Sequence, residues 1–146
     1  MTRSTRSASR PQESATRDKK REDLAMNHKS QLQSDVRELE ALYRNRTRES
    51  LVDYLCATLR KRNEWSQRTK LAEFVALAEN TYDRKFDKRI AKSRTRLLIE
   101  LSCGADVGTK GLYSAATENG RRAGFGPSNL NKYFAKKGGI RNAAYG

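Results

Sequence analysis

Apolar side chains recur along the first two thirds of this chain at helical spacing. Leu24, His28, Leu32, Val36, Leu39 and Tyr43 follow one another at steps of four and three, which lays them on one stripe of a helix predicted over Asp23–Arg46. Glu40 and Arg44 add an ion pair of favourable polarity on its outer side. The stripe is narrow and suits a second helix, either within the chain or as a dimer seam with another copy. A second helix is predicted over Arg48–Arg62, with Leu51, Val52, Leu55, Cys56 and Leu59 on its inner face. The run Arg60-Lys61-Arg62-Asn63 closes it with cations near the negative end of the helix dipole.

Ser66 is a candidate cap for a third helix, whose apolar positions are Leu71, Phe74, Val75, Ala78 and Tyr82. The pattern continues through Phe86, Ile90, Leu97 and Leu101, as one long helix or two joined near Asn80. No Gly or Pro interrupts residues 23–103, whereas all 9 glycines follow Cys103. Beyond that boundary the pattern predicts a short helix over Ser114–Arg122, a turn over Ala123–Pro127, and a helix over Ser128–Lys137 stopped by Gly138-Gly139. Leu130, Tyr133, Phe134 and Ile140 would face inward there; Asn129, Asn131, Lys132, Lys136 and Lys137 would face outward.

Residues 1–22 hold almost no apolar side chain and cannot offset their ordering entropy by burial. The expected fold class is therefore all-α: a helical body over residues 23–103, a disordered basic N-terminal arm over residues 1–22, and a small basic glycine-containing C-terminal module over residues 104–146.

Charge then narrows the partner. Lys and Arg number 31 against 17 Asp and Glu, a formal net charge of +14. So large an imbalance on a small chain favours a polyphosphate partner, with an anionic membrane surface next. Candidate phosphate contacts are Arg3, Arg6 and Arg10 in the arm, and the row Lys85, Arg89, Lys92 and Arg96 on one flank of the third helix. Asp83, Asp87 and Glu100 lie near enough to that row for it to read equally as a solvated charged face. Arg121, Arg122, Lys132, Lys136 and Lys137 complete the set of cations, and Asn129 and Asn131 are the residue type that pairs with adenine edges.

Little else in the chain carries chemistry. Cys56 and Cys103 are far apart and read as free buried thiols, and His28 is the only histidine, so no metal site or cofactor is expected. No Ser-His-Asp set, P-loop or carboxylate cluster is present, which argues against an enzyme. Neither a secretory signal nor an apolar run of membrane-spanning length occurs. The expected location is cytoplasmic or associated with a nucleoid or nucleus.

Two short helices about a glycine turn follow the plan of a helix-turn-helix. The stretch AGFGPSNLNKYFAKKGGIRNAAYG resembles the end of the DNA-binding domain of the tetracycline-repressor family, through Ala123-Gly124, Leu130, Tyr133-Phe134, Lys137, Ile140 and Ala143. It departs from that family's pattern at Gly126, Ser128 and Asn131. The resemblance implies a recognition helix over Pro127–Phe134, with Lys132 and Lys137 on the DNA backbone and Arg94–Leu101 in place of the family's first helix. The expected function is a DNA-binding regulator or mobile-element accessory protein acting as a homodimer or higher oligomer. Two alternatives stand beside it. One is a viral coat or nucleoprotein, found in the virion, that neutralises a genome. The other is an RNA- or ribosome-associated protein that stacks bases on Tyr113, Phe125, Tyr133, Phe134 and Tyr145.

Overall fold

A computed structural model describes residues 27–45 and 47–146. The candidate contacts Arg3, Arg6 and Arg10, with the arm that carries them, lie outside the described residues. Every regular element among the described residues is a helix. In chain order these are α1 (27–44), α2 (Arg48–Arg68), α3 (Leu71–Tyr82), α4 (Lys88–Ala91), α5 (Arg94–Ser102), α6 (Val107–Arg122), α7 (Leu130–Lys137) and α8 (Ile140–Tyr145).

The stripe on α1 packs within the chain. Leu32, Val36 and Leu39 are 0%, 2% and 0% exposed, covered by the chain's own helices, while Leu24 lies outside the described residues. They join Tyr54, Leu55, Leu59 and Trp65 from α2, and Leu97, Leu98 and Ile99 from α5, in one apolar cluster. That cluster continues without a gap to Ala116, Leu130, Phe134 and Ala143. Residues 104–146 therefore share their core with the helices before them. Each fully buried Leu or Phe contributes about 1.5–3 kcal/mol.

Several element boundaries differ from the sequence expectation. Helix α2 does not stop at Arg62 but runs on to Arg68. Its last turns carry Trp65, which is fully buried against Phe74 with ring centroids 5.3 Å apart. Burial of that indole outweighs the stop signal of the basic run. Ser66 is consequently interior to α2, its hydroxyl donating to the Asn63 carbonyl, and Lys70 precedes α3 instead.

The pattern from Leu71 to Leu101 is neither one helix nor two but three. Asp83 ends α3 in the left-handed region at φ 49°. The Glu79 carboxylate accepts the Phe86 N–H at 3.0 Å, and Phe86 turns into the core with the Arg84 guanidinium over its ring. Asp87 then caps α4 and Ser93 caps α5, each accepting backbone N–H groups of the following turn.

Helix α6 starts at Val107, not Ser114, because Asp106 caps it through the Thr109 N–H at 2.7 Å. Gly120 lies where α6 crosses α7: a Cβ there would meet Leu130 Cδ1 at 2.4 Å. Gly138, at φ 86°, ends α7 as expected. Helix α8 follows at once, its carbonyls at Ala143 and Ala144 receiving the Asn119 amide.

Candidate nucleic-acid interface

The breaks in the 71–101 pattern bring cations to one place. Helix α4 and its cap Lys92 bend the chain so that α5 starts beside the outer face of α6. Between them opens a cleft of about 570 Å³. Arg89, Lys92, Ser93 and Arg96 form one wall; Arg122 closes the other at the end of α6. The floor is the face of α6 that carries Gly108, Gly111, Ser114 and Ala115.

The charges at the cleft are unequal. Arg89, Lys92 and Arg122 are exposed and form no ion pair among the described residues. Arg96 is 6% exposed and donates from Nη1 to Glu100 at 3.0 Å. Glu100 also receives Lys110 at 2.7 Å and Arg84 at 3.4 Å. Burial works to raise the Glu100 carboxyl, but Lys110 and Arg96 together hold it below the usual carboxylate range. Among the described residues Glu118 is the one carboxylate lining the cleft. It accepts the Thr95 hydroxyl and the Arg121 guanidinium, and these hold it low against the opposing effect of burial.

Next to this pair stand two further arginines. Burial lowers the Arg62 guanidinium, and the neighbouring charges of Arg121 and Arg94 lower it further. Burial also lowers Arg94, which donates to the Thr69 carbonyl while its Nε has no partner. The C-terminal turns of α2, the first turn of α5 and the end of α6 thus share one strongly positive pole.

The row Lys85, Arg89, Lys92 and Arg96 does not run along one helix flank, since α3 ends before it. Lys85 lies in the loop before α4, 92% exposed and 3.8 Å from Glu79, apart from the cleft. The other three reach the cleft by way of the turns around α4, where they meet Arg122. Arg121 is committed to Glu118 at 2.7 Å.

The candidates on α7 form a separate set. Asn129 is half-buried, and its side-chain oxygen accepts the Gly126 N–H at 2.7 Å, fastening the turn. Asn131 is exposed but borders a groove with Glu38, Glu49, Asp53 and Arg60, and its backbone N–H is bonded to the Cys56 thiol. Lys132, Lys136 and Lys137 are exposed, with Lys137 over the Tyr133 ring. Tyr133 and Phe134 are core residues, 5% and 3% exposed, so the proposed stacking of bases on them does not fit; Tyr145 is 81% exposed.

Sequence reasoning missed Ser114, Gly108 and Gly111 as cleft residues. The Asp106 cap before Val107 was the available signal that α6 begins early enough to carry all three. Both cysteines are free, with burial pushing the Cys56 thiol up. Among the described residues no group of His, Cys, Asp and Glu is placed to hold a metal, and no helix is long and apolar enough to cross a membrane. No known family model matches this chain, and neither a curated protein nor a solved structure shows significant similarity to it.

Proposed function

We propose that this chain is a non-enzymatic nucleic-acid-binding protein whose interface is the α5–α6 cleft and the positive pole around it. The observation that carries this reading is the meeting of Arg89, Lys92, Arg96 and Arg122, from separate elements, on one concave surface. Three of these are exposed cations without a carboxylate partner, the arrangement that releases counter-ions from a phosphate backbone. A DNA-binding regulator or mobile-element accessory protein remains the leading role. The exposed face of α7, with Asn131, Lys132 and Lys136, supports a second contact of the helix-turn-helix kind.

Fluorescence anisotropy of labelled duplex DNA, single-stranded DNA and RNA over a salt series tests the reading. Lys92→Ala with Arg122→Ala should lower the salt slope by about 1 per removed cation. The melting curve should stay in place, since both side chains are exposed. An unchanged slope would move the interface elsewhere, and a loss confined to Lys132→Ala with Lys136→Ala would place it on α7. Duplex-preferring binding that survives near-physiological salt favours the regulator; equal binding to all three, lost steeply with salt, favours a packaging protein.

A further inference from the structure

We infer that the α5–α6 cleft is a discrete phosphate subsite. It seats one phosphate of an unpaired nucleotide, with the Ser114 hydroxyl and the Arg96 guanidinium as its inner ligands. This rests on the nucleic-acid reading and adds which part of the nucleic acid enters the protein.

The first observation is an idle hydroxyl. Ser114 lines the cleft and is 7% exposed, and its side chain makes no hydrogen bond among the described residues. Most other buried residues with hydroxyls among the described residues have partners for them, Tyr133 being the exception. Those of Thr58, Thr69 and Thr117 donate to the carbonyl four residues back, Ser102 meets Tyr54, Thr95 meets Glu118, and Ser50 meets Thr47. The Ser114 oxygen is reached from the cleft rather than sealed in the core, where Arg94 Nε is the unpaired side-chain atom among the described residues, so the hydroxyl is open to a ligand. Beside Ser114 lies Arg96, equally buried, with one nitrogen fixed on Glu100 and no other hydrogen bond from its guanidinium.

The second observation is bare backbone. Glycine inside a helix weakens it, so it needs a reason. At Gly120 the reason is the α7 crossing. At Gly111 a Cβ would meet nothing within 4 Å, and at Gly108 only the Asp106 carboxylate at 3.6 Å. Among the described residues no neighbour requires these two glycines. Both face the cleft, where the absent side chains let a ligand approach the α6 backbone.

The shape selects the nucleic acid. The cleft is the size of a small-molecule pocket, and its innermost ligands are nine-tenths buried. A stiff duplex cannot bring a backbone phosphate past the rim to reach them; an unpaired strand can bend inward. Arg89, Lys92 and Arg122 at the rim would then track the phosphates on either side.

The test uses the full chain and two variants that leave its charge unchanged. Gly111→Leu fills the cleft where space is open and favours the helix; Ser114→Ala removes the inner hydroxyl. Circular dichroism melts confirm that both fold. Titrations use a single-stranded oligonucleotide with a 5′-phosphate, the same strand with a 5′-hydroxyl, its duplex, and a nucleoside monophosphate. Ser114→Ala should weaken single-strand binding about tenfold, as loss of a hydrogen bond to a charged group does. Gly111→Leu should weaken it more, while duplex binding holds within about twofold for both. A 5′-phosphate preference assigns the subsite to strand ends, and equal binding assigns it to internal phosphates. Monophosphate binding lost in both variants supports the subsite directly. Single-strand and duplex affinities both unchanged in the variants overturn the subsite and leave the nucleic-acid reading standing. No binding of any nucleic acid by the unaltered chain overturns that reading itself.

Discussion

The α1–α2 pair and the α5–α6 pair both bury charge, and they do it with opposite signs in excess. Between α1 and α2, Lys61 is the lone cation, 14% exposed, with Asp35 at 3.1 Å and Glu38 at 2.7 Å. Asp35 is 1% exposed and also accepts the Trp65 indole N–H at 2.9 Å and the Gln31 amide at 2.8 Å. Burial alone would push the Lys61 ammonium down, but Glu38 and Asp35 hold it above its ordinary value. Between α5 and α6 the stoichiometry is reversed: Glu100 is met by Arg84, Arg96 and Lys110. The first arrangement is saturated and makes a structural lock. The second satisfies its carboxylates and leaves Arg89, Lys92 and Arg122 over. A net charge of +14 says nothing about where unpaired cations gather; the fold brings Arg89, Lys92 and Arg122 to one cleft and leaves Lys132 and Lys136 apart on α7.

The lock should break hardest. Asp35→Ala leaves the Trp65 N–H and the Gln31 amide without their acceptor and Lys61 with Glu38 alone, and removing one partner of a buried pair costs about 3–5 kcal/mol. A chemical-denaturation midpoint that barely moves would show that water reaches Lys61 and that the lock is superficial.

The next contrast lies within α6. Gly120→Ala presses a methyl against Leu130 and Tyr133, a crowding that costs about 1–3 kcal/mol. Gly111→Ala faces open space and should gain up to about 1 kcal/mol from helix propensity. Equal melting temperatures for the two variants would deny that the α6–α7 crossing is tight.

Acid sharpens the comparison with the smallest effect. The Glu100 carboxyl is held below its unfolded value, so its stabilisation is present above about pH 4.3 and is lost as pH falls toward the folded value. Glu100→Gln should therefore lower stability at neutral pH and flatten the acid limb. The midpoint difference between about pH 7 and pH 3 should shrink; an acid limb of unchanged slope would mean that Lys110 and Arg96 leave Glu100 unperturbed.

Much of the α content could be read from spacing alone. The 3.6-residue pattern located the buried stripe on α1 and the inner face of α2, because amphipathic helices must bury one side wherever they dock. The αL stop at Gly138 was readable too, since few other residues tolerate that conformation. What failed was long-range. Trp65 carries α2 past a local stop signal because it is buried against α1 and Phe74. Glu79 draws Phe86 inward and ends α3 where the apolar pattern runs on. Asp87 and Ser93 were visible caps, but the unbroken apolar spacing from Leu71 to Leu101 hid them.

The candidate site followed the same division. The cations were named from the sequence, and Glu100 among the carboxylates near them, but Glu118 as the partner of Arg121 was not. Arg121 and Arg122 are neighbours in the chain, yet one is bonded to Glu118 and the other opens onto the cleft. By itself the sequence determined the helical class, the apolar stripes and the excess of positive charge, because these follow from residue type and local spacing. Only the tertiary structure decided which cations stay unpaired, which serine lacks a partner and which glycines face open space. Those properties depend on what lies within a few ångströms across the fold, and the carboxylates that neutralise a cation come as often from a distant helix as from the same one.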